Sequence, residues 1–176
     1  MKNNVVLIGF MGTGKTSLGK MLANKLGCAF VDLDQKIEAD SKMSIPDIFK
    51  TRGENYFRQL ERKAVEEVAT RRGIVIATGG GTVKDPRNVE LLKAGGVMIC
   101  LTTSVDELLN RTAVQGERPI LDDRHQDQGD RKAAIIKLLE ERRQLYDQAD
   151  YKVDTTDWSP LKLVDTIIKI VRSREP

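Results

Sequence analysis

Residues 9–16 read Gly9-Phe10-Met11-Gly12-Thr13-Gly14-Lys15-Thr16, matching the phosphate-loop pattern G-x-x-x-x-G-K-[ST] at every fixed position. Such glycines let backbone N–H groups close around phosphate oxygens, and the helix that follows adds the positive end of its dipole. In that pattern Lys15 reaches the β- and γ-phosphates and the Thr16 hydroxyl ligates Mg²⁺. A glycine turn could match by accident. The flanks argue otherwise: the apolar run Val5-Val6-Leu7-Ile8 leads in and the amphipathic stretch Ser17 to Leu26 leads out, the strand, loop and helix order the motif needs. The expected ligand is a nucleoside triphosphate with Mg²⁺.

Five further groups could contribute to a site beside that loop. Asp32-Leu33-Asp34 ends the second apolar run. On a strand, residues i and i+2 share a face, so both carboxylates would stand over the carboxyl end of a sheet, where ligands bind in open α/β folds. One would sit near Mg²⁺, directly or through water, and the other would take a proton or hydrogen bond from an acceptor hydroxyl. The plainer alternative is an N-cap, with Asp34 opening the next helix. Gly79-Gly80-Gly81 gives up backbone entropy that a packed turn seldom sacrifices, so bare backbone against a ligand is expected, or else a flexible turn. Arg58 could fork onto a carboxylate or pair with Glu61 on its own helix. Arg118, in Gly116-Glu117-Arg118-Pro119, could stabilise charge on the transferring phosphoryl group, or simply be solvated. Arg142, within Glu140-Glu141-Arg142-Arg143, reads by default as a solvated helix face. The one histidine, His125, lies in a polar stretch and reads as a solvated loop residue, and no Ser–His–Asp arrangement or metal-ligand spacing appears. Phosphoryl transfer needs only positioning, Mg²⁺ and cations.

The elements that would position these residues are legible in the apolar pattern. Strand-like runs are expected at Asn4–Ile8, Ala29–Leu33, Ile74–Ala77, Val97–Leu101 and Tyr151–Val153, with helical periodicity between them. Ser104-Val105-Asp106-Glu107 fits a capping box, and Asp85-Pro86 and Ser159-Pro160 place a cap before an N1 proline. Alternating strands and helices predict an α/β fold, a three-layer α/β/α domain with a five-stranded parallel sheet. No strand signal lies between Gln35 and Arg72, only helices at about Gln35–Asp40, Ile45–Thr51 and Glu54–Arg71. That insertion is where an acceptor site is expected by fold analogy. Residues 113–129 are polar and aperiodic and read as a lid that excludes water.

At 176 residues a single domain, 1–176, is expected. The 29 basic and 26 acidic residues interleave to a net charge of +3, so no nucleic-acid face is indicated. Apolar runs are too short to span a membrane, and the chain enters its first strand without room for a signal peptide. Cys28 and Cys100 sit in apolar surroundings and read as buried, reduced thiols of a cytoplasmic protein. A monomer is expected.

Together these residues resemble shikimate kinases, small-molecule kinases of the P-loop fold related to nucleoside monophosphate kinases. The resemblance runs nearly end to end: Gly9–Thr16, Asp32-x-Asp34, Gly53-Glu54-x-x-Phe57-Arg58-x-x-Glu61, Gly79-Gly80-Gly81, Arg118-Pro119-x-Leu121 and Arg142-x-x-Leu145-Tyr146. It implies transfer of the γ-phosphate of ATP to the 3-hydroxyl of shikimate, a step of aromatic amino-acid biosynthesis. Asp34 would bond the ring hydroxyls and act as base or orienting group. Arg58 and Arg142 would bind the carboxylate, and Gly79, Gly80 and Gly81 would line the pocket. Gly12, Thr13, Gly14, Lys15, Thr16 and Ser17 would hold the phosphates, with Lys15 and Arg118 on the transferred group and Thr16 and Asp32 around Mg²⁺. Arg111 and the loop Thr155–Pro160, including Trp158 and Pro160, would grip the base. Leu33, Gln144 and Trp158 depart from the usual family pattern, and Trp158 bears on nucleotide affinity. A gluconate-type kinase would also suit paired arginines but does not explain the triple glycine with Phe57-Arg58-x-x-Glu61. A nucleotide switch would need a guanine-specifying Asn-Lys-x-Asp, which the chain lacks.

Overall fold

The computed structural model describes residues 3–113 and 128–173. Its first strand, β1 (Asn4–Gly9), is buried along its whole length. Val, Leu and Ile on both faces are what a central parallel strand requires, because helices cover it on either side. Strand alternation then divides the core. Val6 and Ile8 join one cluster with Ile76, Met98 and Cys100. Val5 and Leu7 join the other with Val75, Ile99 and Leu101.

In chain order the other elements are α1 (Lys15–Leu26), β2 (Phe30–Asp32), α2 (Leu33–Ser41), α3 (Ile45–Ala69), β3 (Val75–Ala77), a 3₁₀ turn (Thr82–Lys84), α4 (Pro86–Gly95), β4 (Gly96–Thr102), α5 (Val105–Ala113), α6 (Gln128–Tyr146), β5 (Tyr151–Asp154) and α7 (Pro160–Arg172). All pairings among the five strands are parallel, in the order β2-β3-β1-β4-β5. The carboxyl ends of β1, β2 and β3 therefore lie side by side. Helices α1 and α7 pack one face through Leu18, Leu22, Val164 and Ile168. Helices α2 to α6 cover the other through Ile37, Val65, Leu92, Leu108 and Ile135.

The expected sheet, the helices between β2 and β3, and the two cap–proline starts are present, while the expected capping box is half formed. Ser104 Oγ accepts from the Glu107 amide, but the Glu107 carboxylate turns to Arg111 and the Ser104 amide donates to Thr156. Asp85 accepts from the Arg87 amide and Ser159 from the Lys162 amide, each before a proline. The expected break between two inserted helices is a kink inside α3, where Gly53 adopts φ 82° and ψ 171°. Two expectations need correction. Cys28 is only partly buried and lies between α1 and β2, whereas Cys100 is fully buried as expected. The two aspartates do not share a strand face. β2 stops at Asp32, whose Oδ1 accepts from the amides of Asp34 and Gln35 and caps α2. That capping bond starts the helix earlier than the apolar pattern indicates, and Asp34 falls in its first turn. His125, Arg118 and most of the expected lid lie outside the described residues.

Candidate active site

The phosphate loop leaves β1 through Gly9, whose φ is +141° and whose hypothetical Cβ would lie 2.4 Å from the Leu101 carbonyl oxygen. No other residue fits so close to the neighbouring strand. Gly14, at φ 89°, is the N-cap of α1. It offers no capping side chain, and the first turn carries no acidic residue. The helix's first amides thus remain unclaimed by a side-chain cap, the arrangement that attracts an anion. Lys15 is nearly buried, and its Nζ donates to the carbonyls of Gly9 (2.9 Å) and Phe10 (2.8 Å). A cavity of about 320 Å³ lies over this loop, lined by Gly12, Gly14, Lys15, Thr16 and Ser17 with Thr78 behind. Thr13 is buried beneath, its hydroxyl donating to the Phe10 carbonyl.

Thr16 Oγ1 donates to Asp32 Oδ2 at 2.6 Å. Asp32 thus splits its work: one oxygen starts α2 while the other meets the end of the phosphate loop. A hydroxyl and a carboxylate side by side beside a phosphate cavity are hard oxygen donors suited to Mg²⁺, which takes one or two such ligands with substrate phosphates and water. Among the described residues no group of three metal-binding acids, histidines or cysteines exists.

A second cavity of about 540 Å³ opens beside the first, within the range of small-metabolite sites. Met11, Thr16, Asp32, Asp34 and Gly80 line both. Its far wall is polar, with Arg58, Glu61 and Arg142, and its side is apolar, with Ile45, Pro46, Phe49 and Phe57. Arg58 realises both of its readings at once. Nη1 donates to Glu61 (2.8 Å), while Nη2 and Nε donate to Glu54 (3.0 and 3.2 Å). Three of the guanidinium's five N–H groups are used, and the rest remain for a ligand. Burial works against the Arg58 charge, but Glu61 and Glu54 outweigh it and hold its pKa above the ordinary value. Glu61 is itself buried and accepts from Thr82 Oγ1 at 2.8 Å.

Arg142 departs from the solvated helix face expected of it. It is only 3% exposed, because α6 turns this position toward the cavity, and its Nη1 donates to the Gly80 carbonyl at 3.3 Å. The Tyr146 hydroxyl donates to the same oxygen at 2.9 Å. Two guanidiniums make this end of the cavity electropositive. Lys84 registers it: burial first, then the charges of Arg142 and Arg58, pull its pKa down.

The triple glycine proves to make room for side chains as well as for bare backbone. A Cβ on Gly79 would lie 2.7 Å from Asp34 Oδ1, and one on Gly81 would lie 3.0 Å from the Arg58 guanidinium. Arg111 bridges the loop to the segment after β5, with Nη1 3.4 Å from the Gly12 carbonyl and Nη2 3.5 Å from that of Thr155. Trp158 is half-exposed and Pro160 opens α7; neither lines the two cavities. The residues that sequence reasoning passed over are Phe10, Met11 and Thr82. The first two occupy unconstrained positions of the phosphate-loop pattern, and a lone threonine after glycines carries no signal.

A family model described as shikimate kinase matches residues 11–172. The chain belongs to the shikimate kinase family. It is 38% identical to a shikimate kinase of Persephonella marina over 169 residues, covering 96% of this chain and 99% of that one. A Geobacter metallireducens relative of the same name is 42% identical over 172 residues, with 97% and 93% covered. Among solved structures, shikimate kinase from Acinetobacter baumannii in complex with shikimate superposes with a TM-score of 0.91 at 34% identity, covering 99% and 96%. The Aquifex aeolicus enzyme gives 0.78 at 30% identity, covering 97% and 96%. Membership makes the chain an ATP-dependent kinase with an alcohol acceptor, and Mg²⁺ is the family's usual cofactor. No helix among the described residues is long and apolar enough to cross a membrane.

Proposed function

We propose that this chain phosphorylates the 3-hydroxyl of shikimate from the donor loop described above, with the second cavity holding the acceptor. The observation that carries this assignment of sites is the shared wall. Asp34 and Thr16 border both cavities, so a hydroxyl in one can face a phosphate in the other. The guanidiniums of Arg58 and Arg142 take the acceptor's carboxylate, the bidentate partner for which their forks are shaped. Asp34, in the first turn of α2, receives the proton or hydrogen bond of the attacking hydroxyl. Gly79, Gly80 and Gly81 close the wall behind the ring.

On the donor side, the loop amides of Gly12 to Ser17 bind phosphate oxygens, and Lys15 moves from its loop carbonyls to the transferring group. Arg118 adds a second cation there by family correspondence. Thr16 and Asp32 would hold Mg²⁺, which would supply positive charge against the phosphates. Arg111, Trp158 and Pro160 form the base end. The chain acts in the cytoplasm as a monomer, a state that sedimentation can check.

The deciding experiment is ADP release with a panel of hydroxylated carboxylic acids. Shikimate stimulates turnover strongly. Stimulation by gluconate instead, or by no acid, sinks the acceptor assignment.

A further inference from the structure

The two arginines of the acceptor cavity are held by different means. Arg58 lies against two carboxylates and also 5.1 Å from the centroid of the Phe57 ring. Arg142 is 3% exposed and has no carboxylate partner among the described residues. Its Nε is buried without a hydrogen bond. A buried guanidinium left uncompensated is strongly disfavoured. What meets it here, besides the Gly80 carbonyl and the Tyr146 hydroxyl, is the ring of Phe10, whose centroid lies 5.5 Å from Cζ. An aromatic face attracts a cation through its quadrupole, and more strongly where water is excluded. Phe10 is 1% exposed, so this pair is dry.

The backbone of Phe10 does something else. Its carbonyl accepts from the Thr13 amide (3.4 Å), the Thr13 hydroxyl (2.8 Å) and Lys15 Nζ (2.8 Å). The residue is therefore tied to the donor loop through its main chain and to the acceptor arginine through its ring. The phosphate-loop pattern leaves this position unspecified, so phosphate binding itself does not demand an aromatic there.

We propose that Phe10 is a positioning residue for the acceptor: its ring face holds the Arg142 guanidinium where a substrate carboxylate meets it, registering the acceptor against the donor loop. The proposal rests on the reading of Arg142 as a carboxylate ligand. An aliphatic residue would fill the same core but leave the cation only the Gly80 carbonyl and the Tyr146 hydroxyl.

Calorimetric titration of shikimate tests it, on the full chain and on Phe10→Leu, Phe10→Met and Phe10→Tyr, each with and without Arg142→Lys. The two non-aromatic variants weaken shikimate binding about tenfold, and Phe10→Tyr, which keeps the ring, stays within about threefold. In the Phe10→Leu or Phe10→Met background, Arg142→Lys costs several-fold less than in the parent, because the two changes remove one interaction. Phe10→Met fills similar space and carries the cycle if Phe10→Leu unfolds. Additive losses, parent-like binding in both non-aromatic variants, or unfolding of both would mark Phe10 as core packing and overturn the proposal. A parent chain that does not bind shikimate speaks against the acceptor assignment instead, and the same cycle run on the acid selected by the panel then decides Phe10.

Discussion

Arg58 and Arg142 place like charges in one cavity with unlike surroundings, and that difference sets what each substitution does. Removing Arg58 takes a hydrogen-bonding cation from the acceptor wall and releases Glu61, which stays buried against Thr82. Charged hydrogen bonds contribute about 1.5–3 kcal/mol, so Arg58→Ala raises the shikimate Michaelis constant by roughly tenfold to a hundredfold and changes that for ATP far less. Steady-state kinetics with each substrate varied will show this; equal effects on both contradict the carboxylate role. Tyr146 gives a pH signature. Burial lifts its phenol above the ordinary 10.0, against the opposing pull of Arg142. Above pH 10 the native chain then binds more protons than the unfolded one, so stability falls as pH rises. Tyr146→Phe removes that share of the alkaline decline, measurable by denaturant titration across the range. Motif spacing displayed Lys15 and Thr16 plainly, while Asp34 and Arg58 each kept a second reading as a helix start and a helix-surface pair. It could not show that Arg142 is buried, since four charges in a row look solvated until a helix turns one of them inward.

At the scale of elements, Asp32 joins a helix start to the corner proposed to hold Mg²⁺, and two substitutions separate the roles. Asn caps a helix about as well as Asp, so Asp32→Asn keeps α2 and leaves thermal stability close to the parent. The lost carboxylate beside Thr16 shifts activation to higher Mg²⁺ and lowers kcat. Asp32→Ala does the same and also loses about 1 kcal/mol of stability with the cap. Mg²⁺ titration of activity beside thermal melts will distinguish them, and identical stability in the two variants contradicts the capping role. The strands and most helix starts were readable in the sequence because apolar runs and cap–proline pairs are local signals. The Asp32-x-Asp34 geometry was not. Alternation along a strand and capping of a helix use the same two residues, and the choice depends on where β3 stops pairing with β2 at Ala77.

For the whole molecule, a sheet with two covered faces gathers three strand ends at one edge, and almost all the chemistry described here hangs from them. Composition and periodicity fixed this architecture in advance, since parallel strands need apolar residues on both faces. What they left open was how the inserted helices α2 and α3 meet the loop of β1. That depends on small clearances, such as the space that Gly79 leaves for Asp34. Gly79→Ala should therefore keep the fold while displacing Asp34, lowering kcat with a near-native melting profile; an unchanged kcat argues against a tight wall.

The border common to the two cavities also has a pharmacological meaning. Met11, Thr16, Asp32, Asp34 and Gly80 face both chambers, so the space proposed for a nucleotide and the space proposed for a ring acid are one residue layer apart. A single molecule carrying both pieces on a short tether would make its second contact at the millimolar effective concentration typical of such linkers. It should bind about a hundredfold or more tighter than either piece, competing with ATP and with shikimate at once. Competition against only one of them would show that the passage between the chambers is closed to a tether.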